Sequence, residues 1–77
     1  MPNIAQLAGI LPRDPKFREW LSSETQVEQL TADEAAEIIR TVCKIDSRRV
    51  LATDEVAATR FHNLVRRPFI KWRSKQH

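Results

Sequence analysis

The side chains best suited to binding chemistry lie in the last third of the chain, where six basic residues follow Glu55 and no acidic residue does. Aromatic residues are interleaved among these basic ones. Arginine forks onto phosphate oxygens and stacks on bases, and cations that neutralise phosphates release condensed counterions. This combination is typical of a surface that contacts a nucleic-acid backbone.

Two further arginines, which follow a tight turn near the middle of the chain, join the predicted phosphate contacts. The predicted set for nucleic-acid binding is Arg48, Arg49, Arg60, Arg66, Arg67, Lys71 and Arg73. The turn before Arg48 lacks the usual glycine, and the element after it is too short to lie in a major groove. We therefore expect non-specific phosphate contacts to DNA or RNA rather than helix-turn-helix recognition.

Phe69 and Trp72 are the candidates for stacking on a base or for anchoring a partner. Phe69 falls off the apolar stripe of the predicted last helix, so we expect it to be exposed and able to stack on an unpaired base. Trp72 lies on that stripe, and its alternative role is ordinary core packing.

No residues are arranged for catalysis or for holding a metal. Cys43 is the only cysteine, which excludes disulfides and cysteine zinc sites, and it ends an apolar helical face as a small buried hydrophobe does. His62 is the only internal histidine and lies on another helix, and a single glycine cannot build a glycine-rich phosphate loop. We therefore expect no enzymatic activity, no metal and no cofactor.

Charge is distributed unevenly along the chain. Residues 1–43 hold seven acidic and four basic side chains, whereas residues 44–77 hold nine basic and three acidic ones. Such asymmetry indicates an anionic partner, and its alternative explanation is a charged helix that keeps the protein soluble.

The elements that position these residues are predicted to be helices. Seventy-seven residues suffice for one domain with one modest core, and helix-favouring residues dominate the composition. We predict an all-α fold, a small compact bundle of about four helices that spans residues 1–77. Residues 1–13 are expected to pack loosely, as a short turn capped by Asn3 and ended by Gly9, and residues 74–77 to form a disordered tail.

Three later helices have recognisable start signals. Asp14 caps the second helix, which we expect to run to about Ser22. Thr31 and Glu34 form a capping box for the third helix, which we expect to span Ala32–Cys43 and to end in a turn at Lys44 without a glycine. The fourth helix begins near Thr53.

The last helix is predicted to be long, because apolar residues keep a helical spacing across Pro68. One helix kinked at Pro68 fits this pattern, and so does a helix ending near Arg66 followed by a new helix with Pro68 in its first turn. The apolar residues before and after Pro68 keep the same helical phase, which favours the single kinked helix. The predicted core comprises Phe17, Trp20, Leu21, Ile38, Ile39, Val42, Val50, Phe61, Leu64 and Val65.

Residues 30–72 resemble small proteins carried by phages and prophages among replication and recombination genes. The similarity lies in the segments DEAAEIIRTVC, IDSRRVL and RFHNLVRRPFIKW, and it covers a little over half of the chain. The resemblance implies an accessory protein that acts near DNA or near a DNA-processing enzyme. It carries over no functional residues.

Two hypotheses of function follow from these patterns. The first is a non-catalytic, nucleic-acid-associated accessory protein that binds the DNA or RNA backbone through its basic C-terminal helix. The alternative is a protein-binding adaptor or inhibitor module that uses the same amphipathic helix, for a partner such as a DNA-processing protein or for a homodimer. A lone thiol, no export signal and no apolar run long enough for a membrane span predict a cytoplasmic location without membrane partners.

Overall fold

The computed structural model describes residues 3–75. This part of the chain forms four α-helices and two short 3-10 helices. The predicted all-α fold is confirmed. The α-helices are α1 (Ile4–Ile10), α2 (Pro15–Thr25), α3 (Ala32–Cys43) and α4 (residues 55–74). The 3-10 helices are Leu11–Arg13 and Arg48–Ala52. No helix in this range is long and apolar enough to cross a membrane.

The predicted helix starts are confirmed, because each rests on a side chain that accepts a hydrogen bond from the first turn. Asp14 Oδ1 accepts from the amide of Lys16 at 2.9 Å. Thr31 and Glu34 form a reciprocal capping box, with bonds of 3.1 and 2.9 Å. These bonds satisfy amide groups that have no partner inside the helix.

The helix ends differ more from the predictions. The first helix runs through Gly9 to Ile10, and α2 continues three residues past Ser22, to Thr25. Gln26 after α2 and Lys44 after α3 adopt left-handed backbone angles, with φ of 60° and 59°. Glycine is the usual residue in this position, so the sequence carries no stop signal after α2. The end of α3 at Cys43 is nevertheless as predicted.

The last helix, α4, is a single element of 20 residues, as predicted, and contains a π-helical segment. The segment spans His62–Arg66, between the α-helical parts Glu55–Phe61 and Arg67–Ser74. Here the amide of Arg67 donates to the carbonyl of His62, five residues earlier. The irregularity expected at Pro68 thus lies immediately before it, where a wider turn relieves the clash of a proline ring with the preceding turn.

The π segment decides which residues of α4 face the core. Ala57, Phe61, Val65 and Phe69 follow one another at intervals of four, and all are buried. In a regular α-helix this spacing would drift by about 40° at each step. The wider turn offsets the drift, so the two halves of α4 present one continuous buried face.

The core joins this face of α4 to all three other α-helices. Phe69 packs against Phe17 of α2 at 5.2 Å between ring centroids and against Trp20 at 5.8 Å. Of the predicted core residues, Ile38, Val42 and Val50 are only partly buried and pack against its edge. The remaining buried apolar residues include Ala8, Leu11, Leu30, Ala35, Cys43, Ile45, Leu51 and Ala57.

One predicted core residue is wrong. Leu64 is 52% exposed, because it lies within the π segment on the side away from the core. At the chain ends, Ser74 is the last residue of α4 and Lys75 follows in a turn. Residues 76–77 of the predicted tail, and residues 1–2 of the predicted loose N-terminal segment, lie outside the described residues.

Candidate nucleic-acid interface

The C-terminal half of α4 presents a group of cations to solvent. We call Arg66, Arg67, Lys71, Arg73 and Lys75 the basic end of α4. Arg66 is half-buried and the other four are exposed. None forms an ion pair with another residue of the range 3–75, where Lys16 and Glu19 make the one ion pair present. The positive charge of the basic end is therefore not neutralised within the described chain.

Two contacts orient the basic end without neutralising it. Arg67 Nη1 donates to the amide oxygen of Asn63 at 3.2 Å. The guanidinium of Arg73 lies over the ring of Phe69, 5.2 Å from its centroid, which is a cation–π contact. Both partners are neutral, so each arginine keeps its full charge, and Arg67 uses only one of its N–H donors in the bond to Asn63.

Arg60 is engaged within the fold. Its Nη1 donates to the carbonyl of Cys43 at 3.3 Å, across 17 residues of sequence. Cys43 is the last residue of α3, so this bond places a cation at the negative end of the helix dipole. Burial raises the pKa of the Cys43 thiol, and the charge of Arg60 partly opposes that shift. Arg60 thus ties α4 to α3, and a phosphate would compete for a guanidinium that already has a partner.

Phe69 does not lie on the surface, and the prediction that it is free to stack on a base is wrong. It is 2% exposed and packs between the aromatic residues of α2 and α4. The π segment turns it inward, whereas the predicted stripe assumed a regular α-helix throughout. Trp72 is half-buried and stacks on Phe69 at 6.4 Å with an interplanar angle of 23°.

Arg48 and Arg49 lie on the second 3-10 helix rather than on α4. Arg49 is exposed. Arg48 extends over Gly9 of α1 and borders a cleft together with Arg13 and Arg40. The predicted phosphate contacts therefore occupy more than one element, and only those of the basic end form a continuous stretch of helix.

Apolar side chains interrupt the basic end. Leu64 is 52% exposed and Ile70 is 39% exposed, beside Arg67 and Lys71. The sequence pattern did not identify them, because Leu64 had the phase of a core residue on a regular α-helix. Exposed apolar groups next to cations fit a partner that offers apolar surface as well as negative charge.

Neither His62 nor the acidic residues form a metal site. The described residues contain no group of three metal-ligating side chains. The Nδ1 atom of His62 is buried without a hydrogen-bond partner in the range 3–75, and the ring packs edge-on against Phe61.

Comparison of the chain with protein-family models, with curated proteins and with solved structures finds no match in any of the three.

Proposed function

We propose that this protein is a non-catalytic, nucleic-acid-associated accessory protein whose basic end of α4 contacts the phosphate backbone. The observation that carries this proposal is the set of five cations without an ion-paired carboxylate in the described chain. Arg67 and Lys71 are exposed one helical turn apart, a spacing that lets both side chains reach one anionic strand. The resemblance of residues 30–72 to phage proteins supports a role in replication or recombination.

The contacts are non-specific in this proposal. Neutral partners, Phe69 and Asn63, hold the guanidinium groups of Arg73 and Arg67. Phe69 is buried and Trp72 is half-buried against it, so no fully exposed aromatic ring lies beside these cations to stack on a base. Affinity then comes mainly from phosphate neutralisation. Such binding weakens linearly in log salt, with a slope of about 0.9 for each duplex phosphate contacted.

The test is fluorescence anisotropy of labelled single- and double-stranded DNA, titrated with the protein from low to physiological salt. The variant Arg67→Ala/Lys71→Ala removes two exposed cations of the basic end. The control Lys16→Ala/Lys44→Ala removes the same charge from exposed positions elsewhere.

We expect micromolar binding at low salt and a salt slope about two units smaller in the Arg67/Lys71 variant, with little change in the control. Absence of binding at low salt would overturn the proposal. An equal loss of DNA affinity in the two double variants would also overturn the proposal, since net charge alone would then explain the binding.

A second candidate is favoured by the exposure of Leu64 and Ile70. In this alternative α4 is the interface of a protein-binding adaptor or inhibitor module, or of a homodimer. Apolar anchors make such binding less sensitive to salt than phosphate contacts are. Sedimentation equilibrium of the wild type and of Ile70→Glu tests the dimer: a wild-type dimer that the variant dissociates supports it, and a monomeric wild type excludes it.

A further inference from the structure

A cleft on another part of the molecule brings together three arginines that are distant in sequence. It has a volume of about 380 Å³ and lies between α1, the first 3-10 helix, α3 and the turn before Arg48. Arg13, Arg40 and Arg48 line it, each from a different element. Its size is in the range of pockets that hold small molecules.

The three guanidinium groups lack partners in the described chain. None of them forms an ion pair or a side-chain hydrogen bond with another residue of the range 3–75. Like charges that border one concave surface repel each other, and with Asp33 and Asp46 the charged residues that line the cleft sum to a formal charge of +1. An anion in the cleft would relieve this repulsion and use the unpaired donors.

The position of Arg48 depends on the only glycine of the chain. A Cβ atom on Gly9 would occupy the space of the Arg48 guanidinium. Glycine inside a helix costs about 1 kcal/mol relative to alanine. At this position, however, it lets the guanidinium lie directly on the backbone of α1, at the edge of the cleft.

The acidic residues of the cleft narrow the class of ligand. Asp33 and Asp46 also line it, but neither lies within ion-pairing distance of the arginines. A ligand that carries only an anionic group would satisfy the arginines but leave these carboxylates without a hydrogen-bond donor. A molecule that carries a phosphate at one end and hydroxyl or amino donors at the other would satisfy both sets of groups.

We infer that this cleft binds a phosphomonoester attached to a hydroxylated ring, as in a nucleoside monophosphate or the 5′-phosphorylated end of a nucleic-acid strand. The arginines would hold the phosphate through forked hydrogen bonds, and Asp33 and Asp46 would accept from the sugar or base. This site does not depend on the basic end of α4, so the two proposals fail separately.

The experiment is a titration of the ¹⁵N-labelled full chain by two-dimensional NMR. The probes are thymidine 5′-monophosphate, thymidine, inorganic phosphate, and one oligonucleotide with a 5′-phosphate or a 5′-hydroxyl. The variants are Arg40→Gln, which removes one cleft cation, and Gly9→Ala, which displaces Arg48 without changing the net charge. The matched control is Lys16→Gln, which removes an exposed cation that neither lines the cleft nor belongs to the basic end of α4.

We expect the monophosphate or the phosphorylated strand end to shift amides of residues around the cleft, and the tighter of the two identifies the source of the phosphate. The dissociation constant should rise about tenfold or more in Arg40→Gln and in Gly9→Ala, and stay unchanged in Lys16→Gln. Helical circular dichroism checks that each variant is folded.

Three results would overturn the inference. The first is that no phosphate-bearing probe shifts the cleft amides at millimolar concentration. The second is that thymidine or inorganic phosphate binds as tightly as the monophosphate. The third is that Lys16→Gln weakens monophosphate binding as much as Arg40→Gln does.

Discussion

Truncation of Phe69 tests the arrangement of α4 most directly. The structure buries this side chain to 2% exposure and surrounds it with the rings of Phe17, Trp20 and Trp72. The guanidinium of Arg73 covers it from the solvent side. Substitution by alanine would remove the ring that joins α4 to α2 and leave a cavity between the two helices.

The expected cost is large relative to the stability of so small a domain. Truncation of a buried phenylalanine destabilises proteins by about 3–5 kcal/mol, through lost burial and the cavity left behind. A chain of 77 residues has a total stability of about 4–12 kcal/mol. We expect Phe69→Ala to lose about 4 kcal/mol, which corresponds to a fall in Tm of roughly 15–30 °C.

Urea unfolding followed by circular dichroism measures this loss. Fluorescence is unsuitable as the sole probe, because both tryptophans lie near the substituted ring. The control is Leu64→Ala, which removes a side chain that is 52% exposed and should change the unfolding free energy by no more than about 0.5 kcal/mol.

The pair of variants separates two arrangements of the same helix. A regular α-helix through residues 55–74 would place Leu64 on the core side and Phe69 outside it. A large loss in Leu64→Ala together with a small loss in Phe69→Ala would therefore refute the π segment and the packing that follows from it.

Three further outcomes follow from contacts in the fold. Thr31→Ala should destabilise the protein by about 1 kcal/mol in urea unfolding, because it removes the capping box of α3. The control Thr59→Ala, which removes an exposed hydroxyl from within α4, should destabilise it much less. Arg60→Gln should lower the free energy of unfolding by about 1 kcal/mol, because the bond to the carbonyl of Cys43 is lost. Arg67→Gln should leave it nearly unchanged, because the partner of Arg67, Asn63, is exposed. Equal losses would contradict the role of Arg60 in joining α4 to α3. Burial raises the pKa of Cys43 above its ordinary value of 9.0, so the thiol ionises in the unfolded chain first and stability should fall as pH rises past that value. Cys43→Ala should show a smaller fall over the same pH range, and identical pH profiles would rule out this contribution.

The sequence predicted those features that depend on a few neighbouring residues. The caps at Asp14 and Thr31 are local hydrogen bonds, so residue type and spacing identify them. The end of α3 at Cys43 was also predicted, whereas the end of α2 was not, because Gln26 occupies a backbone conformation that usually signals glycine.

The candidate sites were predictable only in part. The acid-free run after Glu55 indicated the basic end of α4 from composition alone. Phe69 faces the core because the helix changes from α to π over residues 62–66, and no residue pattern in the sequence predicted that change. The cleft of Arg13, Arg40 and Arg48 depends on the packing of three elements, so no spacing along the sequence brings these residues together.

The π segment also has a consequence for chain length. Phe61 and Phe69 are eight residues apart, but they share a face as residues seven apart do in an α-helix. The π segment therefore contains one residue more than a regular α-helix would need to place Phe61 and Phe69 on the same face. Deletion of the exposed Asn63 should leave Phe69 facing the core, provided that Pro68 is replaced, because a regular helix would no longer accommodate its ring. Homologous chains one residue shorter here are expected to lack this proline.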